Sequence, residues 1–400
     1  MRQKLHNAGF VLVLCNVMVL QAATISAAQT VTPVCTPKVS ANIEVVTPKQ
    51  RNAAAKLAEP PLTDTFDWPD TPLGVIKTAG GYEFFGSDGG HHPRQMWQGN
   101  LAGNNKWGSI VTTVGTLDNP LGTGAPQDIS VSPNPNASVN PNYPTYTYMG
   151  GGPVYQVPEG MPYAGSLLAT YHAEFPHDAL YAVLGLAASG DNGQHWTDLG
   201  EIIRLNQAYD VGLDGFEIGD GPLTLSPDGK YFYIYFPDWI ANGTPHATTL
   251  NNISVARALA SSVLEAAFGA SPHHSIPFEK FYKNKWNVQP GIGGASTDLL
   301  PNSLYQGYID VHYNQALQRY AMIISNDTDF AYVESVDALN WSLPVSIGTF
   351  GPIAAYPTAV GLGADPHILD KSFYVYYTHL PSNGAGWTEG LVRRLTLDCQ

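Results

Sequence analysis

Apolar and polar positions along this chain alternate in short bursts, with little helical periodicity. Five runs carry the signal: "YEFFGSD" from Tyr82, "LLATYHAE" from Leu167, "YFYIYFPD" from Tyr231, "YAMIISND" from Tyr320 and "FYVYYTHL" from Phe373. Each is dense in aromatic and β-branched residues and follows a turn such as "AGG", "PDGK" or "LDKS", the pattern of a strand entered from a tight turn. A second shared piece precedes several of them. "GGGPVYQV" from Gly150 and "GDGPLTLS" from Gly219 align Gly-Pro-apolar on Gly-Pro-apolar, "YIDVHYN" and "YPTAVGL" hold the same place further on, and "YAVLGLAAS", "ISVARA" and "AYVES" follow as third strands. Repeats of four short strands predict an all-β fold, a β-propeller of five blades. Only "ASSVLEAAFG" from Ala260 reads as helix, and residues 119–149, rich in Pro and Asn, read as a long inter-blade loop.

The first residues change the picture of where such a chain works. Arg2 and Lys4, the apolar run "FVLVLCNVMVL" and the small residues up to Ala28 read as a secretory signal, cleaved near Ala28. Residues 1–28 are therefore set apart, 29–63 read as an N-terminal extension and 64–400 as the propeller. The apolar run is short for a membrane span and nothing later approaches one, so no membrane insertion is expected. Cys15 leaves with the signal, and Cys35 and Cys399 remain, one near each end of the mature chain. In an oxidising compartment, secreted or periplasmic, they are expected to pair and tie the ends of a circular fold. A formal net charge of −14 argues against a nucleic-acid partner.

"SGDNGQHW", Ser189 to Trp196, is first a turn: Gly193 suits φ > 0 and Asp191 can bond its own backbone. It resembles the Asp-box of sialidases and other β-propeller proteins, and "SVDALNW" from Ser335 resembles a second copy with Ala338 in place of the glycine. The resemblance implies a turn between third and fourth strands of a blade, on the face opposite the ligand funnel, and hence a scaffold element. A sialidase is disfavoured, because no Phe-Arg-Ile-Pro motif accompanies the few arginines. Five blades are instead similar to the glycoside hydrolase family 43 superfamily, the arabinanase and β-xylosidase group, whose members use three carboxylates from successive blades. "GADPHILDKSFYVYY" resembles their Asp-Pro strand opening, but it falls near the end of this chain, and Leu73 lacks such an Asp-Pro. The family's catalytic positions are not carried over.

Candidate residues are then those that open first strands or close second strands. They are Asp88 with His91, His92, Arg94 and Trp97; His172 and Glu174; Glu217, Asp220 and Asp238; Asp310, His312 and Asp327; and Asp365, His367 and His379. Glycosidic hydrolysis needs an acid to protonate the leaving oxygen and a carboxylate to activate water or attack carbon. Asp220, between glycines at a strand entrance, suits the base or nucleophile; Glu174, beside Tyr171 and Phe175, suits the acid; Asp310 is the third carboxylate and Asp88 a further one. His172 or His312 could replace Glu174 as the acid. His91, His92, Arg94, Trp97, His172, Asp238, His312 and His379 are read as substrate-binding, with Trp107, Trp239 and Tyr313 as further stacking surfaces. No cofactor is required by this reading, although the histidines leave a central metal ion open. The expected partner is a poly- or oligosaccharide. Two other readings stay open: a carbohydrate-binding propeller without catalysis, and a metal-dependent polysaccharide lyase.

Overall fold

The computed structural model describes residues 31–57, 68–69, 71–87, 110–128, 131–132, 148–174, 181–206, 218–238, 252–270, 276, 278–301, 303, 305, 307–386 and 389–400. Strand β1 (Pro37–Val46) is followed by helix α1 (Pro48–Ala55), which opens on a capping box between Thr47 and Gln50 with Pro48 in its first turn. Blade one is β2 (Gly74–Thr78), β3 (Gly81–Ser87), β4 (Ile110–Gly115) and β5 (Gln127–Asp128). A short β6 (Val131–Ser132) joins the edge of blade two, made of β7 (Tyr148–Gln156), β8 (Leu167–Glu174), β9 (Ala182–Ser189) and β10 (Trp196–Ile203). Blade three holds β11 (Leu223–Leu225), β12 (Tyr231–Asp238), β13 (Asn252–Leu259), helix α2 (Ala260–Phe268), β14 (Glu279–Tyr282) and β15 (Lys285–Pro290). Blade four is β16 (Ile309–Asn314), β17 (Arg319–Ser325), β18 (Asp329–Ser335) and β19 (Val345–Thr349). Blade five runs through β20 (Ile353–Gly361), a two-residue β21 (Ile368–Leu369) lent to blade four, β22 (Ser372–Leu380) and β23 (Leu391–Cys399).

The five sheets are the blades of a propeller, and the five aromatic runs are its second strands. β9 is buried along its whole length, because both its faces meet neighbouring blades. Each blade is joined to the next by an edge-to-face aromatic pair: Phe85–Trp196, Tyr155–Phe232, Tyr235–Trp341, Phe330–Tyr377 and Phe84–Tyr376, with ring centroids 5.2–6.0 Å apart. Such pairs contribute roughly 0.5–1.5 kcal/mol each beyond the area they bury. The ring closes inside blade five, where β1 pairs antiparallel with β23 and Cys35 is bonded to Cys399 across a sequence separation of 364. β1 lies in the 29–63 segment that the sequence sets outside the propeller, yet it is the outermost strand of a blade.

The inner strands begin at one end of the axis, where the second strands end. That end is where the sequence places the ligand funnel. Pro153 and Pro222, from the two Gly-Pro-apolar pieces, sit at equivalent places on the axis; proline is tolerated there because the inner strand edge has no further ladder partner.

Candidate active site at the axial funnel

The axis is nearly filled. Asp310, His312, His367, Pro153, Pro222 and Thr358 line a space of ≈ 20 Å³, room for about one water molecule and none for a sugar ring. Asp310 and His312 alternate on β16 and both face the axis, as their spacing requires. Asp310 is 3% exposed and its oxygens are taken: Oδ2 accepts from Ala359 N at 2.6 Å and meets His312 Nε2 at 2.8 Å, and Oδ1 faces Val311 N at 3.0 Å. The carboxylate thus staples blade four to blade five.

Histidine geometry at the axis fixes where protons are. His312 Nδ1 lies 3.1 Å from the His367 carbonyl oxygen, which can only accept, so Nδ1 carries a hydrogen. Nε2 faces a carboxylate, and that contact is attractive only with a proton between the two atoms. Burial pulls the His312 pKa down, but the Asp310 charge and hydrogen bond, with the His367 carbonyl and Asp365, outweigh it and hold it above its ordinary value. His367 repeats the arrangement: Nε2 donates to Val154 O at 2.7 Å and Nδ1 lies 3.1 Å from Asp365 Oδ1. Burial raises the Asp365 pKa, yet the His367 hydrogen bonds and charge carry it below the ordinary carboxylate value. Asp365 and His367 belong to the turn after β20, at the far end of the axis, and the chain folds back into the channel; they do not open a first strand at the funnel.

Above this floor, blades two and three bring together three sequence candidates. Asp220 stands just before β11 with a left-handed backbone, φ 57°, and its Oδ2 accepts from Ile309 N at 2.8 Å. The backbone there is tightly seated: Thr170 Oγ1 donates to Gly221 O at 2.9 Å, and a Cβ on Gly152 would stand 3.2 Å from Asp220 O. One strand over, His172 Nδ1 lies 3.1 Å from Ile218 O, and Nε2 lies 3.3 Å from Glu174 Oε1. The carbonyl can only accept, so Nδ1 carries a hydrogen, and Nε2 faces the Glu174 carboxyl. The Glu174 side chain remains 32% exposed, so this couple reaches solvent where Asp310 does not.

The remaining candidates are placed as follows. Asp238 is fully buried at the end of β12, accepting from Ser296 Oγ at 2.8 Å and paired with Lys280 Nζ at 3.4 Å. Lys280 also donates to Arg204 O and Gly294 O, and burial lowers its pKa against the pull of Asp238. A pair this deep joins β12 to β14 and the segment after β15. His379 lies on the funnel rim of blade five, its Nδ1 2.8 Å from Phe350 O, in space that only a glycine at 351 leaves open. Tyr313 packs on Tyr320 between strands, away from the funnel. Asp88, His91, His92, Arg94, Trp97, Trp107, Glu217 and Trp239 lie outside the described residues. Among the described residues, no group of three or more His, Cys, Asp or Glu is arranged to hold a metal ion. Two funnel residues escaped the sequence reading. Tyr308 and Tyr356 meet with ring centroids 4.5 Å apart where blades four and five enter the funnel.

The Ser189–Trp196 turn joins β9 to β10, on the face away from the funnel. Asp191 Oδ1 accepts from Ser189 Oγ and His195 N, both at 2.9 Å, and Trp196 donates to Gly193 O and packs on Phe85 of blade one. Burial works against the Asp191 charge, but these bonds and His195 hold its pKa down at about 2. The Ser335–Trp341 turn keeps the Ser-to-Asp bond in blade four, with Ala338 at φ 69° where Gly193 has φ 82°, but among the described residues the Trp341 indole N–H finds no acceptor.

No protein-family model matches the chain, and no curated protein matches it. Among solved structures it is similar to the catalytic domain of a GH62 α-L-arabinofuranosidase from Coprinopsis cinerea, at 11% identity, 92% of this chain and 98% of that one, with a TM-score of 0.48. It is also similar to a family 117 glycoside hydrolase of Zobellia galactanivorans, at 12% identity over 82% and 83% of the two chains and a TM-score of 0.46. An N-acetylgalactosamine deacetylase from F. plautii matches at 12% identity over 82% and 89%, with a TM-score of 0.41. At such values the likeness says nothing about what this chain binds or cleaves.

No helix among the described residues is long and apolar enough to cross a membrane.

Proposed function

We propose that this chain is an exported glycoside hydrolase that cleaves a poly- or oligosaccharide at the funnel mouth. Asp220 serves as base or nucleophile, and Glu174, sharing a proton with His172, serves as the acid. The observation that carries the reading is that His172 ties Glu174 to the Ile218 carbonyl, two residues before Asp220, so that a histidine–carboxyl couple and a separate carboxylate share one edge of the funnel. Such a division of labour, one group charged with a proton and one without, is what the reaction demands. The axial space is too small for a sugar, so the substrate is held above Asp310, which acts through the backbone it fixes.

The test is a product screen of the mature protein on plant, algal and microbial polysaccharides beside Asp220→Asn and Glu174→Gln. Wild type should release sugars, and each variant should fold and lose roughly 10²–10⁴-fold in kcat. Glu174→Gln keeps a partner for His172 but has no proton to give. Binding without release would support a non-catalytic carbohydrate-binding protein, and full activity in both variants would sink the assigned roles.

A further inference from the structure

Among the described residues, three other than glycine hold a left-handed backbone at the funnel end of inner or second strands: Asp220 at φ 57°, Asp327 at φ 74° and Tyr356 at φ 55°. Aspartate tolerates this region, because its short side chain can bond the local backbone; a bulky tyrosine there is an outlier. Tyr356 lies in the irregularity of β20 between Ala355 and Thr358, where two residues leave the ladder with β22. Departures of this kind re-aim side chains beside active sites. Glycine would satisfy the backbone better, so a tyrosine holds this place through what its side chain touches, the Tyr308 ring among it. The aromatic pairs that join blades are of another kind. Tyr376 and Tyr377 are at most 1% exposed, whereas Tyr308 and Tyr356 are only half-buried.

The surroundings define what the pair can hold. Tyr308 continues the axis-facing alternation of Asp310 and His312 one step toward the mouth. Its neighbour Ile309 donates its backbone N–H to Asp220 Oδ2, so the aromatic pair and the candidate nucleophile are fixed to one another by a single residue. Tilted rings next to a carboxylate match a ligand with an apolar C–H face and hydroxyls at its edge, which is a sugar ring.

Resting on the glycosidase reading, we propose that Tyr356 and Tyr308 form the platform on which one sugar ring of the substrate stacks, beside Asp220. The left-handed backbone at Tyr356 aims its ring at that place.

The experiment pairs stability with binding. Wild type, Tyr356→Gly, Tyr356→Phe and Tyr308→Ala are compared by urea unfolding, by isothermal titration with arabino-, xylo-, galacto- and gluco-oligosaccharides of four sugars, and by kcat and KM on the substrate found in the screen. Tyr356→Gly should unfold at the same or a higher urea concentration. It should nevertheless bind the responding oligosaccharide roughly tenfold more weakly and raise KM by a similar factor, with kcat little changed, while Tyr356→Phe keeps the platform. Tyr308→Ala should also weaken binding. A drop in the Tyr356→Gly midpoint would make Tyr356 a scaffold residue and overturn the proposal, as would unchanged Kd and KM. Cleavage by wild type with an unaffected Tyr356→Gly defeats the platform alone. Binding by wild type without cleavage, weakened in Tyr356→Gly, defeats the hydrolase and leaves the platform standing. No binding of any oligosaccharide by wild type overturns both.

Discussion

Replacing Asp310 by Asn should invert the sign with which stability depends on pH. In the wild type, His312 donates from Nδ1 to the His367 carbonyl and faces the Asp310 carboxylate with Nε2 at 2.8 Å, in a site where both residues are at most 7% exposed. Its pKa is raised in the fold from an unfolded value of 6.5. A raised histidine contributes stability that is fully present below the unfolded pKa and is lost as pH climbs through the folded one, hence above 6.5 here. Asn keeps the shape of Asp310. Ala359 N–H and His312 Nε2 both meet the Oδ2 position, so the Asn oxygen there still accepts from Ala359 but carries no charge to hold an imidazolium. With the carboxylate gone, burial dominates and pulls the histidine pKa below its ordinary value. Stability is then present above 6.5 and lost as pH falls.

The magnitude follows from what each state leaves unpaired. Removing one partner of a buried ion pair costs about 3–5 kcal/mol when the remaining charge stays. His312 can shed its proton instead, at about 1.4 kcal/mol per pH unit below its pKa. At pH 5.5 the variant should therefore lie about 3 kcal/mol below wild type. At pH 8.5, as the wild-type imidazolium contribution fades, the gap should shrink to about 1 kcal/mol. Urea unfolding followed by tryptophan fluorescence at the two pH values measures both gaps. Equal gaps at pH 5.5 and 8.5 would show that no proton lies between Nε2 and Oδ2, and the assignment of His312 as charged would fall with it.

Reducing the Cys35–Cys399 bond, or changing both residues to Ser, should lower the unfolding free energy by an amount approaching 5 kcal/mol, since the closed loop is long; an unchanged urea midpoint would mean that the β1–β23 pairing closes the ring unaided. Asp191→Ala should cost about 1 kcal/mol through its lost turn hydrogen bonds and leave any glycan turnover untouched, because the turn faces away from the funnel. The wild-type Asp191 contribution should be present above pH 3.8 and fade as pH falls toward 2, its lowered pKa, so acid unfolding of the two proteins should converge there.

What the sequence made legible was whatever is written locally and repeated. The second strands announce themselves as aromatic runs because middle strands of a blade are buried on both faces. The Gly-Pro-apolar pieces align because the inner edges of blades two and three have no further ladder partner and accept proline. Asp310 and His312 could be assigned to one face from their spacing. Whether the Asp310 carboxylate is offered to a ligand depends on Ala359 N–H, a donor from the next blade 49 residues on, and no local pattern reports that. Asp238 looked like a funnel acid for the same reason: Lys280, 42 residues later, is what consumes it. β1 went unseen because its partner β23 lies at the other end of the chain, and Asp365 because a turn that folds back into a channel reads the same as one that does not. Tyr356 is the instructive case, since a positive φ leaves no trace in the residue type when that residue is the wrong one for it. The mismatch between a tyrosine and its backbone is visible only in the fold, and it is the kind of local conflict expected where a side chain serves a ligand ahead of its own strand.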